Sequence, residues 1–494
     1  MKEYILGIDQ STQGTKALLL DGSGKLVARA DLPHRQIITE NGWVEHDLNE
    51  IYANTLQVVR NVVEKAGIDR SGIRAVGISN QRETSACWYR STGMPAYNAV
   101  VWQCARGTAI CEELAAEGWA DKVREKTGLP LSPYFSAAKL AWIFRNVPEV
   151  KPAADSGNIC VGTIDSYLVY RMTGGKEHRT DFSNASRTQL FNIHTLAWDK
   201  ELADAFGINI GCLPEVTDSD GNFGMTDFEG FLPSPIPICA VMGDSHAALF
   251  GHGCRKPGMA KVTYGTGSSI MMNIGTKPVM CDNGIATGIA WKTGGEVNYI
   301  FEGNINYTGA VISWLKNDLK LISDPAETED LARQASGKDT TCLVPAFSGL
   351  GAPYWDSGAR AAIVGMTRTT GKNEICRAAL ESIAYQIMDV IEAMKENASV
   401  SMGQLRADGG PTRNKLLMQF QSDILNIGLS VPDSEELSGI GAAYAAGLSC
   451  GLYDADVFNV LEYAGYTPSM SGAERAAKKD RWHDAVRMVC INYR

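Results

Sequence analysis

Two short segments, each a strand, a turn and a second strand, constrain the fold more than any other feature of the chain. The first, residues 7–15, reads GIDQSTQGT, and the second, residues 262–269, reads VTYGTGSS. Because both place a Gly, Ser and Thr turn between strands, the chain is predicted to contain two related halves. Turns that face each other could hold a triphosphate through backbone N–H groups and hydroxyls. Two unrelated hairpins are the alternative, since such turns are common.

The length of 494 residues exceeds what one hydrophobic core usually serves and suggests two large domains. Apolar strands such as residues 4–8 and 73–78 alternate with helical stretches such as residues 49–66, which predicts an α/β fold with helices covering a mixed sheet. The connector GHGCRKPG then precedes a second series of strands. We therefore expect an N-terminal domain over residues 1–250 and a C-terminal domain over residues 251–494.

Charge and composition exclude several classes of protein. The formal charge of −10 argues against a nucleic-acid surface, which needs clustered Lys and Arg. The start, MKEYILGIDQ, lacks the regions of a signal peptide, and no run reaches the roughly eighteen apolar residues of a membrane span. The 12 cysteines are scattered without a CxxC pair, as is typical of core residues in a reducing compartment. A cytoplasmic enzyme or ATPase acting on small molecules is expected.

The phosphate-binding patterns narrow the kind of nucleotide site. There is no GxxxxGK[ST] and no GxGxxGxV followed by VAIK, so the P-loop and protein-kinase schemes find no support. A third segment, LRADGGPTRN, runs through a Gly-Gly turn into a helix at residues 415–425, where a flat ring could approach the backbone, although it is also an ordinary α/β corner. The order of Asp9 turn, GTG turn and DGG corner resembles actin-like ATPase folds. An actin-like, ribonuclease H-like fold with an interdomain cleft is therefore expected.

Charged residues at the ends of two strands are candidates for an acceptor site, because clefts form there. SNQRET places Arg82 beside Glu83, and together they offer donors and acceptors for vicinal hydroxyls; an isolated pair of this kind is usually a surface ion pair. In AVMGDSHAALF, Asp244 stands where an apolar strand meets a helix, so it either caps the helix or performs chemistry. His246 is expected to pack or hydrogen-bond rather than act as a second base.

Long and widely dispersed sequence strings resemble the FGGY family of carbohydrate kinases, and within it the glycerol kinases in particular. The likeness extends through nearly the whole chain, and strings of this length are specific. They are GWVEHD (42–47), SNQRET (79–84), YNAVVWQC (97–104), YFSAAKLAWI (134–143), TDFSNASRTQLFNIHTLAWD (180–199), GLGAPYWD (349–356) and LMQFQSDIL (417–425).

The resemblance implies an actin-like two-domain kinase that uses ATP and Mg²⁺. Asp244 matches the general base that takes the proton from the acceptor hydroxyl as it attacks the γ-phosphoryl group. Asp9 matches the aspartate that holds Mg²⁺ through its water shell, and Asp244 is the second carboxylate at the metal. The polyol contacts carried over are Arg82, Glu83, Trp102, Tyr134, Asp244 and Ser245. The ATP contacts carried over are Thr12, Gln13, Gly14, Lys16 (often Arg in the family), Thr266, Gly309, Ser313, Gly410 and Asn414.

The chain departs from the glycerol kinase pattern at the acceptor site. Glycerol kinases usually read Gly-Asp-Gln-Gln at the base and Cys-Phe after the second turn, where this chain has Ser245, His246, Ser268 and Ser269. Smaller polar side chains should open the pocket and could suit a longer polyol or a ketose. Residues 226–235 lack the loop associated with fructose 1,6-bisphosphate inhibition and the phosphorylatable histidine of some relatives, so neither control is expected.

Three functions stay open from the sequence. The first, and best single one, is a kinase that makes glycerol 3-phosphate from glycerol and ATP. The second is a kinase for a longer polyol or ketose, such as erythritol, threitol, a pentitol, xylulose or ribulose. The third is an actin-like ATPase that drives partner binding or filament growth, although NQRET, VWQC and the Tyr134 segment favour a metabolite pocket. The resemblance also implies a homo-oligomer, either a dimer or a tetramer.

Overall fold

The computed structural model describes residues 2–281, 283–398 and 400–490, and strands and helices alternate throughout in the expected α/β arrangement. The strands are β1 (Tyr4–Gln10), β2 (Gly14–Asp21), β3 (Leu26–Pro33), β4 (Ile37–Ile38), β5 (Val44–His46), β6 (Ile73–Asn80), β7 (Ser85–Tyr89), β8 (Pro95–Val100), β9 (Ile159–Thr163), β10 (Arg179–Asp181), β11 (Phe191–Asn192), β12 (Ala197–Trp198), β13 (Glu215–Thr217), β14 (Met225–Thr226), β15 (Ile236–Gly243), β16 (Ala260–Tyr264), β17 (Ser268–Gly275), β18 (Ala286–Thr293), β19 (Glu296–Ile305), β20 (Cys342–Val344), β21 (Ala362–Val364), β22 (Gln404–Asp408), β23 (Gly428–Pro432) and β24 (Tyr463–Tyr466). The helices are α1 (Leu48–Ala66), α2 (Thr108–Ala116), α3 (Trp119–Thr127), α4 (Ser136–Asn146), α5 (Val150–Asp155), α6 (Ile164–Met172), α7 (Phe182–Ala185), α8 (Lys200–Phe206), α9 (Asp244–Gly251), α10 (Gly309–Asn317), α11 (Glu327–Gln334), α12 (Lys372–Asn397), α13 (Lys415–Leu425), α14 (Leu437–Ser449) and α15 (Gly472–Val489).

A six-stranded sheet in the order β14, β15, β6, β1, β2, β3 forms the centre of the first half. Its middle strands β1, β6 and β15 are parallel and almost wholly buried, because helices α1 and α6 pack on one face and α14 on the other. Parallel strands end at the same edge of a sheet. Asp9, Ser79 and Asp244 therefore lie together at the carboxyl edge of this sheet.

A seven-stranded sheet in the order β18, β19, β17, β16, β22, β23, β24 forms the centre of the second half. Strands β16, β22 and β23 are parallel, while β16 and β17 form an antiparallel hairpin. The first half has the same unit, since β1 and β2 form an antiparallel hairpin beside the parallel strand β6. The two strand, turn and strand segments recognised in the sequence are thus equivalent hairpins of two related sheets.

Helix α14 packs on the first sheet although it comes late in the chain. A Cβ on Gly77 would lie 2.0 Å from the carbonyl oxygen of Ala442, and a Cβ on Gly441 would lie 1.8 Å from that of Ala247. No larger residue fits at either position, so α14 contacts β6 and α9 backbone to backbone. Glycine in β6 and the small residues of α14 therefore fix the distance between the helix and the first sheet.

The edge strand β18 of the second sheet and its neighbour β19 pack in turn on the first half. The hydroxyl of Tyr299 donates to the carbonyl of Ile193 at 2.8 Å, and Tyr299 shares an apolar cluster with Phe182 and Phe191. The halves meet at α14 and at this edge, and the predicted domain boundary near residue 250 stays a prediction. Among the described residues, no helix is long and apolar enough to cross a membrane.

Candidate active site

A cleft of about 620 Å³ lies between the two halves, at the carboxyl edge of the first sheet. Both predicted phosphate turns line it, with Thr12 and Gln13 from the first turn and Thr266 from the second. The cleft is lined as well by the predicted acceptor residues, which are Arg82, Glu83, Trp102, Tyr134, Asp244 and Ser245. The fold therefore gathers into one space residues that are spread over more than half of the chain.

Asp244 enters this cleft as the first residue of α9, directly after the buried strand β15. Gly243 occupies the N-cap position, so the capping role considered for Asp244 from the sequence is not observed. Its Oδ1 lies 2.5 Å from the backbone nitrogen of Ser245 and 3.3 Å from Nε of Arg82, and the side chain is 34% exposed. A carboxylate at a helix N-terminus is stabilised by the helix dipole, and this one remains accessible to a proton donor in the cleft.

A buried ion network lies beneath the acceptor residues. Arg82 donates from Nη1 and Nη2 to the two carboxylate oxygens of Glu302 at 3.0 and 2.9 Å. Arg187 donates from Nε to Glu83 at 2.6 Å, and its Nη1 lies 2.7 Å from Glu302. All four side chains belong to residues that are at most 6% exposed. Burial opposes ionisation, but the two guanidinium groups hold the pKa of Glu302 well below its usual value.

Two members of this network, Arg187 and Glu302, were missed by the sequence reasoning. Arg187 lies inside one of the strings that carry the family resemblance, but no role was assigned to it. Glu302 stands among apolar residues in the strand YIFEGNI, which is the same kind of signal that drew attention to Asp244. A charged residue in a buried strand requires a partner, and that requirement could have identified Glu302.

An aromatic wall closes one side of the cleft. The ring centroids of Trp102 and Tyr134 lie 5.5 Å apart, and Nε1 of Trp102 donates to Oγ1 of Thr12 at 2.9 Å. The buried ammonium of Lys139 donates to the carbonyls of Tyr134 and Phe135, the latter at 2.9 Å. Burial lowers the pKa of Lys139 to about 7. The aromatic wall is thus tied to the first phosphate turn on one side and to a buried lysine on the other.

Asp9 lies behind the first phosphate turn and is 6% exposed. Oγ of Ser79 donates to its Oδ1 at 3.0 Å. Burial raises the pKa of Asp9 to about 6; the charge of Lys16 opposes this shift, and the charge of Asp244 adds to it. The described ranges contain no group of three His, Cys, Asp or Glu side chains that could hold a metal ion. Asp9 and Asp244 nevertheless suit Mg²⁺, which is commonly bound by one or two carboxylates together with substrate phosphates and water.

Two predicted ATP contacts, Gly14 and Lys16, do not line the cleft. Nζ of Lys16 donates to Glu436 at 2.8 Å and lies 4.0 Å from Oδ2 of Asp9. A Cβ on Gly14 would lie 2.5 Å from the carbonyl oxygen of Leu32, so this position needs glycine for strand packing. The first turn therefore offers Thr12 and Gln13 to the cleft, whereas Gly14 and Lys16 support the turn from behind.

The remaining predicted ATP contacts line a second pocket, of about 550 Å³, in the second half. These are Gly309, Ser313, Gly410 and Asn414. Its walls include Ile312, Leu380, Ile383 and Leu417, so apolar surface covers much of the pocket. A slot that combines glycines with branched apolar side chains is suited to a flat heterocycle.

The positions that depart from the glycerol kinase pattern also lie at the site. Ser245 and Ser269 line the cleft, and Oγ of Ser269 is shielded from solvent without a hydrogen-bond partner in the described part of the chain. His246 is fully buried, and within the same ranges neither ring nitrogen has a partner. Burial, followed by the positive charge of Arg82, lowers the pKa of His246 well below its usual value. His246 is therefore a packed side chain whose surroundings disfavour the charged form of the ring.

The fold and the cleft define a two-domain, nucleotide-dependent phosphotransferase of the actin-like class. The family model described as FGGY family of carbohydrate kinases, N-terminal domain, matches residues 4–251, and the model of the C-terminal domain matches residues 260–450. The chain belongs to the FGGY family of carbohydrate kinases, which confirms the family, the fold and the enzyme class expected from the sequence.

Individual relatives cover the chain from end to end. Glycerol kinase 1 of Thermotoga maritima is 49% identical over 489 residues, covering 98% of this chain and 99% of the relative. Glycerol kinase of Chromobacterium violaceum is 47% identical over 487 residues, covering 98% and 97% respectively. The crystal structure of Plasmodium falciparum glycerol kinase with ADP superposes with a TM-score of 0.93 at 36% identity and covers 99% of both chains.

Proposed function

We propose that the protein transfers the γ-phosphoryl group of ATP to a hydroxyl of glycerol, producing glycerol 3-phosphate, with Asp244 as the general base. The observation that carries the proposal is the position of Asp244, in one cleft with both phosphate turns and beside Arg82. The relatives named glycerol kinase, which match over nearly the full length, support glycerol as the acceptor.

Arg82, Glu83 and Tyr134 bind the acceptor hydroxyls in this proposal. Arg187 already donates to Oε1 of Glu83, so Oε2 of the same carboxylate can accept a hydrogen bond from the acceptor. The guanidinium of Arg82 and the hydroxyl of Tyr134 add donors, and the ring of Trp102 packs on the carbon chain. Buried polar groups that are satisfied only by a polyol discriminate against acceptors that lack those hydroxyls.

Phosphoryl transfer depends on alignment and charge neutralisation more than on covalent catalysis. In the cleft, Asp244 takes the proton of the acceptor hydroxyl, and Thr12, Gln13 and Thr266 hold the phosphates of ATP. The pocket at Gly410 holds the adenine ring. Mg²⁺, held by Asp9 and Asp244, would neutralise phosphate charge. A cleft between two halves also limits access of water, which would otherwise consume ATP by hydrolysis.

A longer polyol or a ketose is the second candidate acceptor, and the hydroxyl of Ser269 favours it. This group is buried in the cleft wall and has no hydrogen-bond partner in the described part of the chain. If the side chain of Ser269 rotates its hydroxyl into the cleft, an acceptor with an additional hydroxyl can bind it, and leaving such a group unsatisfied costs about 1 to 3 kcal/mol.

The deciding experiment measures ADP release by the purified protein with MgATP and a panel of glycerol, erythritol, threitol, arabitol, xylitol, ribulose and xylulose. The highest kcat/KM for glycerol would support the main proposal. If a longer acceptor is preferred, Ser269→Ala should reduce kcat/KM for that acceptor about tenfold and leave glycerol unchanged. The kinase proposal fails if no acceptor raises ADP release above a background that Asp244→Asn leaves unaltered.

A homo-oligomer in the cytoplasm completes the proposal. Cysteines such as Cys87 and Cys160 are buried free thiols, which suits a reducing compartment. Light scattering of the purified protein would distinguish a dimer or tetramer from a monomer.

A further inference from the structure

Glu302 belongs to the second half of the chain, whereas its partners Arg82 and Arg187 belong to the first. It lies on β19, the strand next to the edge strand β18 of the second sheet, and it binds both guanidinium groups at distances between 2.7 and 3.0 Å. The acceptor side of the cleft thus rests on a carboxylate contributed across the junction between the halves. Nothing in the chemistry of the proposed reaction requires Glu302 itself to touch the acceptor, and Glu302 does not line the cleft.

We propose that Glu302 is a positioning residue, which aligns Arg82 with Asp244 and holds Arg187 against Glu83. The acceptor site is then complete only when the edge of the second sheet is docked on the first half. This inference rests on the proposed function, because it concerns how the acceptor residues are arranged.

The physical basis of this proposal is that the carboxylates of Glu302 and Asp244 compete for the guanidinium group of Arg82. Glu302 takes both Nη groups, and Asp244 faces the guanidinium at Nε, 3.3 Å from its Oδ1. Without the charge of Glu302, the strong preference of guanidinium for bidentate carboxylate pairing would draw Arg82 onto Asp244 and occupy the oxygen atoms needed for the proton. Glu302 therefore keeps the proposed base available.

The path of the Arg82 side chain is confined in a second way. A Cβ on Gly243 would lie 2.6 Å from Cγ and 2.7 Å from Cδ of Arg82, so only glycine leaves room for this stem. With the stem fixed by packing, the direction of the guanidinium is decided by its charged partners. A change of partner would rotate the guanidinium group instead of displacing the whole side chain.

Glu302 also orients Glu83, through the side chain of Arg187. Its guanidinium lies between Glu302 and Glu83, at 2.7 and 2.6 Å. Glu83 has a φ of 59°, a left-handed conformation that is uncommon for a residue with a side chain and is sustained only by surrounding contacts. Loss of Glu302 would release one end of Arg187 and loosen the contact that orients the Glu83 carboxylate.

The test is Glu302→Gln, which keeps the shape of the side chain and removes its charge. Acceptor kcat/KM is expected to fall about 100-fold, through a higher acceptor KM and a lower kcat, since displacement of positioned groups by about 1 Å has effects of this size. The Kd for ADP, measured by calorimetry, is expected to stay within about twofold of wild type, because the nucleotide pocket does not include this network. Glu296→Gln, an exposed glutamate on the same strand, is the matched control and should leave all of these values unchanged.

Glu302→Asp guards against a failure of the glutamine variant to fold, because it keeps the charge on a shorter side chain. It is expected to lose about tenfold in acceptor kcat/KM with unchanged ADP affinity. The inference is overturned if Glu302→Asp has wild-type acceptor kinetics, or if either variant loses ADP binding and acceptor activity in parallel. A wild-type protein that phosphorylates no acceptor would overturn the proposed function itself, and the two failures are thereby distinguished.

Discussion

The acceptor side and the nucleotide side of this protein recognise their proposed ligands by different physical means. The acceptor side is built on charge, with Arg82, Glu83, Arg187 and Glu302 buried in one network and Asp244 at its border. The nucleotide side is built on shape, with glycines and apolar side chains around one slot. Charged side chains can be directed at individual hydroxyls, whereas a flat apolar slot selects mainly for size and planarity.

The two sides also differ in what holds them in place. The charged side chains require partners from both halves of the chain, since a buried charge without a partner is strongly destabilising. The nucleotide slot depends on backbone geometry instead: Gly409 has a φ of 96°, and a Cβ there would lie 2.0 Å from the carbonyl oxygen of Tyr264. Substitutions on one side should therefore leave the other side nearly intact.

Asp244→Asn should have the largest effect. Asparagine keeps the size of the side chain but cannot take a proton at neutral pH, so kcat is expected to fall about 10³-fold. Acceptor KM and the Kd for ADP should change by less than about threefold, because the surrounding contacts remain. Steady-state kinetics together with calorimetry check both values, and a loss in kcat below tenfold would place the base elsewhere.

Gly410→Val should affect the nucleotide side alone. No atom lies within 4 Å of a Cβ built at this position, so the valine can be accommodated, but it would narrow the nucleotide slot. Overfilling a preformed site costs about 1 to 3 kcal/mol, which corresponds to a rise of about 5- to 150-fold in the KM for ATP. Acceptor KM should not change.

Gly403→Val is the matched control for this slot, since its Cβ is equally unobstructed and it does not line the nucleotide pocket. It should leave the KM for ATP at the wild-type value. An equal rise in the KM values for ATP and acceptor in Gly410→Val would contradict the separation of the two sides.

Local signals in the sequence were sufficient to predict the hairpin turns and several residues of the cleft. A turn of Gly, Ser and Thr between apolar strands is visible within ten residues, and so is a lone charge such as Asp244 in an apolar run. The FGGY resemblance then supplied roles that spacing alone could not, including those of Trp102, Tyr134 and Asn414. The structure places these three in the cleft or the nucleotide pocket.

Long-range partners could not be predicted from the sequence. Glu302 is 220 residues from Arg82, and Glu436 is 420 residues from Lys16, so neither contact has a local signature. The packing of α14 on the first sheet has the same origin, because it depends on small residues at matching positions in distant segments. Such contacts are set by how the two halves fold together, and this information lies in no single segment.

The smallest expected effect is on the pH dependence of stability, and it concerns Lys139, which lies beneath the aromatic wall of the cleft. Its ammonium is buried, and Glu83, Cys104 and Cys111 are the charged or titratable groups that act on it. Since its pKa is about 7 in the folded protein and 10.5 for an exposed lysine, the unfolded chain binds more protons between these values. This lysine therefore makes the free energy of unfolding rise with pH above about 7, by up to about 1.4 kcal/mol per pH unit.

Lys139→Met should remove that slope in urea denaturation between about pH 7 and 8, whereas Lys151→Met, at an exposed position on α5, should keep it. If the free energy of unfolding had the same pH dependence in wild type and in Lys139→Met, Lys139 would have to stay protonated in the folded protein. The acceptor side would then contain one more buried charge, and its contrast with the uncharged nucleotide slot would be larger.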